Sequence, residues 1–179
     1  MKSNLRFILT GGPGSGKTTA LHLLESNGFT CVPEVARRVI QERINNGLSP
    51  RPSEVEFAQE ILAADIDQYD NYRYRGVPIF FDRGIGDALA MLYQCNEIQL
   101  ATAIECLKKR PYTQKLFFFP PWEQIFVNDE ERDQSFAHCV EVSAHLMAWY
   151  ESLGFSIVPV PLVSALERVS IIIKVIDSA

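Results

Sequence analysis

Gly11-Gly12-Pro13-Gly14-Ser15-Gly16-Lys17-Thr18 decides how the chain is read. The octet fits G-x-x-x-x-G-K-[ST], the pattern of a phosphate-binding loop. The pattern needs a strand before it and a helix after it. Leu5-Arg6-Phe7-Ile8-Leu9-Thr10 reads as a short buried strand, and Thr19-Ala20-Leu21-His22-Leu23-Leu24-Glu25 as a helix. In that setting the loop amides and the helix N-terminus form a concave cluster of N–H donors suited to phosphate. The expected nucleotide-binding set is Gly11, Gly12, Pro13, Gly14, Ser15, Gly16, Lys17, Thr18 and Thr19. Lys17 reaches the β- and γ-phosphates of ATP or GTP, and the Thr18 hydroxyl ligates Mg²⁺.

Composition bounds what surrounds this loop. With 179 residues and 47% hydrophobic content, the chain is expected to form one domain over 1–179 with a full core. A net charge of −5 and a pI near 5.2 provide no general attraction for nucleic acid or anionic membrane, so phosphate affinity must be local. Met1-Lys2-Ser3-Asn4 leads straight into the first strand, with no signal-peptide pattern. Ile171-Ile172-Ile173 is cut by Lys174, so no membrane insertion is expected. Cys31, Cys95, Cys106 and Cys139 show no metal-ligand spacing and read as reduced thiols of a cytoplasmic protein. His22, His138 and His145 are scattered, without a zinc pattern.

Taken in order, strands and helices alternate. Further strands are expected at Phe29–Val32, Val77–Asp82, Lys115–Phe119 and Phe155–Val160. Helices are expected at about Glu34–Asn46, Ser53–Arg75, from Asp87, at Ile98–Arg110, Asp133–Ser152 and from Ser164. Ser53 with Glu56, and Ser164 with Glu167, fit capping boxes. Such alternation predicts an α/β fold of three layers, a five-stranded parallel sheet with helices on both faces. Phe117, Phe118, Phe119 and Trp122 read first as core, with base stacking as the alternative for them.

The unusual side chains then gather at one edge. Val77-Pro78-Ile79-Phe80-Phe81-Asp82 is an apolar strand closed by an acid, the form that holds a Mg²⁺-bound water beside a phosphate-binding loop. Arg83 follows Asp82 where hydrolysing motors commonly carry a second acid. An arginine suits transfer to a second substrate instead. Glu34, Arg37, Arg38 and Gln41 fall at i, i+3, i+4 and i+7, on one face of a helix that starts at a strand's C-terminal end. That face is either a ligand surface or a solvated one with a Glu–Arg pair. Asn128–Asp133 lies where a kinase lid would be, about 122–138, and Arg132 is its candidate for neutralising the transferring phosphoryl group. Its plainer reading is an arginine paired with neighbouring acids.

The set resembles the AAA-ATPase-like P-loop domains that include the ribosylnicotinamide-kinase-like domain, within the nucleoside and nucleotide kinase superfamily. The matching pieces are Gly11–Thr19, Val32–Ile40, Phe80–Asp87, Pro120–Trp122, Asp129–Arg132 and Leu153-Gly154-Phe155. The resemblance implies the P-loop kinase fold with a lid. It also gives Asp82-Arg83 the place of the acid–arginine pair of nucleoside and thymidylate kinases, and Glu34 a place near the acceptor hydroxyl. It leaves the activity open, because a fold hosts many chemistries.

The expected reaction is therefore Mg²⁺-dependent transfer of the γ-phosphoryl group to a small hydroxyl- or phosphate-bearing, nucleoside- or nucleotide-like metabolite. Lys17, Asp82, Arg83, Glu34 and Arg132 are the catalytic candidates. Glu34, Arg37 and Arg38 are the candidates for the acceptor, and Thr18 and Asp82 for the metal. The alternative is a nucleotide-dependent binding or regulatory protein with only slow hydrolysis. No N-K-x-D sequence favours guanine. An AAA+ motor fits poorly, because the chain is too short for that class's extra helical domain and lacks the second acid.

Overall fold

Arg6–Thr10 forms β1, the centre of a five-stranded sheet in the computed structural model, which describes residues 5–50, 52–72, 76–126 and 135–178. The other strands are β2 (Thr30–Val32), β3 (Ile79–Asp82), β4 (Lys115–Phe118) and β5 (Ser156–Pro159), and their order is β2-β3-β1-β4-β5. Every pairing is parallel, as expected. Among the described residues seven α-helices accompany them: α1 (Lys17–Ser26), α2 (Ala36–Asn45), α3 (Glu54–Asn71), α4 (Ile85–Gln94), α5 (Leu100–Lys109), α6 (Phe136–Ser152) and α7 (Ala165–Asp177).

The period of two along each strand divides the core between the sheet faces. Phe7, Leu9, Phe80 and Phe117 point to α1 and α7, where Leu21, Leu24, Val169 and Ile172 meet them. Ile8, Ile79, Phe81, Leu116 and Phe118 point the other way, against Tyr69, Leu89, Leu107 and Tyr150 from α3, α4, α5 and α6. Phe7 stacks on Phe80 with ring centroids 5.5 Å apart and tilts against Phe117 at 5.8 Å. The run Phe117-Phe118-Phe119 is thus core on both faces, not a stacking platform.

Strand order reverses around β1, whose neighbours are β3 and β4. That is a topological switch point, and the crevice outside its C-terminal edge is where such sheets bind ligands. Register brings Leu9 opposite Asp82. The loop after β1 and the acid ending β3 therefore emerge side by side.

Several local expectations are corrected. The second helix starts at Ala36, not Glu34, so Glu34 stands in the loop after β2. Its carboxylate is drawn to Arg83 instead of serving the first helical turn. The Ser53 side chain accepts from the Glu56 amide, yet the reciprocal half of that capping box is missing, because Arg43 takes the Glu56 carboxylate. Ser164 and Glu167 make the full box. The third helix ends at Asn71, and Arg73–Arg75 lie outside the described residues. The sixth begins at Phe136 under a Ser135 cap, and Asp133 is likewise outside them. Among the described residues no helix is long and apolar enough to cross a membrane, and the four cysteines are free thiols.

Candidate functional site

The loop after β1 turns on glycines where a side chain could not fit. Gly16 caps α1 at φ 86°, a left-handed conformation that only glycine adopts freely. Gly12 lies under α6, and a Cβ there would meet Ser143 Oγ at 2.5 Å and the Cys139 carbonyl oxygen at 2.6 Å. The Gly12 amide also donates to Ser143 Oγ at 3.0 Å. The fold thus clamps the loop from above as well as hanging it from the strand.

Lys17 is buried and folded back on this loop. Its Nζ donates to the carbonyl oxygens of Gly11 at 3.0 Å and Gly12 at 2.8 Å, and to Ser15 Oγ at 3.2 Å. Burial and the nearby Arg83 charge lower its pKa to about 8. A phosphate competing for this ammonium would supply the counter-charge that the carbonyls lack.

Thr18 and Asp82 come together as expected, the Thr18 hydroxyl donating to Asp82 Oδ2 at 3.1 Å. Asp82 Oδ1 is buried and has no partner among the described residues. Burial raises the pKa of this carboxyl, partly opposed by Lys17. A hydroxyl and one orphaned carboxylate oxygen are hard donors that suit Mg²⁺, which keeps waters and phosphate oxygens for its other positions. Among the described residues no cluster of three or more His, Cys, Asp or Glu forms a metal cage. An ion held jointly by protein and nucleotide needs none.

Arg83 is the hinge of the site. It sits at φ 66°, a left-handed turn between β3 and α4 that aims its side chain back across the strand ends. Nε donates to Glu34 Oε1 at 2.9 Å and Nη1 to Asp87 Oδ1 at 3.0 Å. Burial opposes its charge, but Glu34 and Asp87 outweigh this and hold its pKa above the ordinary value. Asp87 accepts two further bonds, from Thr10 Oγ1 at 2.7 Å and the Tyr150 hydroxyl at 2.6 Å. Asp87, in the first turn of α4, thereby ties β1, α4 and α6 to Arg83.

Two cavities meet at this hinge. The first, about 660 Å³, is lined by the phosphate-binding loop, Glu34, Arg37, Asp82, Arg83, Trp122 and Arg168. The second, about 600 Å³, lies beyond Pro13, Glu34 and Arg83, which line both. Its walls are mainly apolar, from Val35, Phe57, Ile61, Met91, Val142 and Leu146. Such volumes suit small-molecule sites.

The expected residues divide accordingly. Lys17, Thr18, Thr19, Glu34, Arg37, Asp82 and Arg83 line the first cavity with Pro13 to Gly16. Gly11 and Gly12 contribute the carbonyls under Lys17. Arg38 lies on the exposed side of α2, paired with Glu42 at 3.3 Å, away from both linings. Arg132 and the middle of the expected lid lie outside the described residues.

Two contributors escaped the sequence reading. Arg168, 2% exposed, donates from Nη1 to the Ser15 carbonyl at 2.8 Å and from Nε to the Pro161 carbonyl at 2.9 Å. Its guanidinium lies over the Trp122 ring at 4.5 Å, and its buried Nη2 has no partner among the described residues. The available signal was a cation one turn before Ile172, on the buried face of α7. Asp65 lines the second cavity from α3, on the same face as Ile61 and Tyr69. An acid at the i+4 position of an apolar stripe was the signal there.

Comparison with known proteins bears on the family and the fold. A family model described as an AAA domain matches residues 6–168. A nucleotide-binding protein of Saccharophagus degradans is 33% identical over 108 residues, 58% of this chain and 33% of its own length. One from Bordetella pertussis is 28% identical over 145 residues, 79% of this chain and 44% of its own. The chain thus spans about a third to under a half of these relatives. Among solved structures, deoxyadenosine kinase from M. mycoides superposes with a TM-score of 0.65 at 13% identity, covering 97% of this chain and 100% of that one. Shikimate kinase from Aquifex aeolicus does so with 0.58 at 19%, covering 96% of each. These likenesses show the P-loop kinase fold. With a nucleotide-binding loop, an acid-ended β3 and a family model matched from β1 into α7, the chain belongs to the AAA-domain family of P-loop nucleotide-binding proteins with a kinase-like fold.

Proposed function

We propose that the protein is a Mg²⁺-dependent kinase that transfers the γ-phosphoryl group of ATP to the hydroxyl of a small metabolite. The observation that carries this is the second cavity, which opens beside the phosphate-binding loop and is separated from it by the Glu34–Arg83 pair. A nucleotide-hydrolysing switch needs only the first cavity. A transferase needs a second site whose ligand can reach the terminal phosphate.

In this reading Lys17 and the loop amides hold the phosphates, and Arg168 braces the loop through Ser15. Thr18 and Asp82 would hold Mg²⁺, which neutralises charge on the β- and γ-oxygens when bound. Glu34 lines both cavities whereas Asp82 lines only the first, so Glu34 is the better placed to orient the acceptor hydroxyl and take its proton. The hydroxyl oxygen bonds to the γ-phosphorus as the bond to the ADP oxygen breaks. Arg83 offsets the charge that develops. Positioning and fixed charge supply the acceleration.

The test is to incubate the protein with ATP, Mg²⁺ and a metabolite extract and to identify a phosphorylated acceptor by mass spectrometry. Lys17→Met should lower transfer by a hundredfold or more, in line with the loss of a group that acts chiefly on the transition state, at roughly 2.7 kcal/mol or above. Slow ADP release with no new phosphoester would favour a nucleotide-dependent binding protein, the reading that the relatives' names support.

A further inference from the structure

We propose that the second cavity takes an acceptor without phosphate or carboxylate: an uncharged or cationic alcohol of about nucleoside size whose N–H group hydrogen-bonds to Asp65 while its hydroxyl faces Glu34 and Arg83. This rests on the phosphoryl-transfer reading and narrows its substrate class.

The first observation is Asp65 itself. It is 7% exposed, lines the second cavity, and its carboxyl oxygens, which open onto that cavity, meet no hydrogen-bond donor among the described residues. A buried carboxyl is ordinarily satisfied, and leaving one without a partner is costly. Burial raises its pKa to about 8, helped by the charges of Asp87 on α4 and Glu34 after β2, and opposed by Arg83 and by Arg38 on α2. Burial, and after it the nearby Asp65 charge, push the Tyr112 hydroxyl up. A carboxyl pushed in this direction holds its proton more readily than a free one, and in that form it can both donate and accept. A ligand N–H beside a ring nitrogen or carbonyl completes both bonds. A cationic amine would instead draw the carboxyl back to its ionised form.

The second observation is the sign of the lining. Glu34, Glu54, Asp65 and Asp87 face this cavity, and Arg83 is its sole Lys or Arg among the described residues. Arg83 is already engaged by two carboxylates at 2.9 and 3.0 Å. Sites built for phosphate or carboxylate present spare guanidinium or ammonium donors. Here an anion would displace Glu34 or Asp87 from Arg83 and share the cavity with four acidic side chains, against which the lining offers only His138 besides Arg83 among the described residues. The apolar walls around Phe57, Ile61, Met91 and Leu146 take the body of a ring-bearing ligand without such a penalty.

The test is equilibrium binding by calorimetry with the first cavity saturated by a non-hydrolysable ATP analogue. The probes are adenosine and cytidine, each with an amino group and a free hydroxyl, and their 5′-monophosphates. The nucleosides should bind, and the monophosphates at least about tenfold more weakly. Asp65→Ala should weaken the nucleosides by about ten- to hundredfold, the usual effect of losing a buried hydrogen bond. Affinity for the ATP analogue should not change. Alanine suits a helix and removes an unsatisfied carboxyl, so this variant should fold; Asp65→Leu, which fills the volume, repeats the test independently. Monophosphates binding as well as nucleosides, nucleoside affinity indifferent to both variants, or none of the four probes binding would each overturn the proposal. The transfer reading fails separately: nucleosides that bind through Asp65 but never gain a phosphate would sink it alone. A monophosphate that is phosphorylated in an Asp65-independent way would sink this inference alone.

Discussion

Arg83 offers the sharpest test of how the site is held together. Replacing it with methionine keeps most of the volume and removes two charge-assisted bonds, to Glu34 at 2.9 Å and Asp87 at 3.0 Å. Breaking a fully buried ion pair from one side costs about 3–5 kcal/mol, because the abandoned charge stays desolvated. Two features reduce that here. The Glu34 side chain is 26% exposed and can recover water, and Asp87, at 8%, keeps its bonds from Thr10 and Tyr150. The expected loss for Arg83→Met is therefore about 2–3 kcal/mol, most of it from Asp87. For a chain of this size that is a fall in Tm of roughly 5–10 °C. The assay is urea unfolding of the wild type, Arg83→Met, Asp87→Asn and the double variant. Because Asp87→Asn removes the stranded charge, the double variant should be less destabilised than the sum of the singles, by about 1–2 kcal/mol. Additive losses, or Arg83→Met within about 0.5 kcal/mol of wild type, would mean that the three-residue network is not what holds the cavities apart.

Other perturbations follow from the same geometry. Gly12→Ala forces a methyl against Ser143 Oγ and the Cys139 carbonyl at 2.5–2.6 Å, which should cost about 1–3 kcal/mol and weaken ATP binding measured by fluorescence. Arg168→Met leaves the Ser15 and Pro161 carbonyls without their donor and should lower ATP affinity about tenfold, with Arg168→Lys failing to restore it because an ammonium cannot make the same fork. The Asp65 carboxyl, whose pKa is raised from 3.8 to about 8 in the fold, contributes a pH dependence of definite sign. The native state binds the proton more tightly than the unfolded chain, so stability is full below about pH 4 and falls as pH rises towards 8. Asp65→Asn should therefore exceed wild type in urea midpoint at pH 8 and lose that advantage at pH 4. An unchanged difference across this range would refute the burial argument.

The phosphate-binding loop was legible because its chemistry is local. Its glycines, Lys17 and Thr18 act within one strand–loop–helix unit, so their spacing in the chain is their spacing in space. The parallel sheet was equally legible, because a strand buried on both faces must be apolar throughout and a parallel partner requires a crossover helix. Asp82 could be read as a strand-end acid for the same reason.

What joins distant segments could not be read this way. The Glu34–Arg83 bond spans 49 residues, Thr10–Asp87 spans 77, and Arg168–Ser15 spans 153. Nothing in the local pattern distinguishes Asp87 in a first helical turn from an acid that merely favours a dipole, or Arg37 lining a cavity from Arg38 beside it in solvent. Those distinctions depend on helix rotation and on what packs opposite, as does the turn of α3 that faces Asp65 into the second cavity. The sequence by itself thus determined the nucleotide-binding loop, the acid that faces it and the layered α/β fold, all set by local chemistry and periodicity. Only the tertiary structure decided that Arg83 divides two cavities and that one is lined with acids, because both depend on long-range packing.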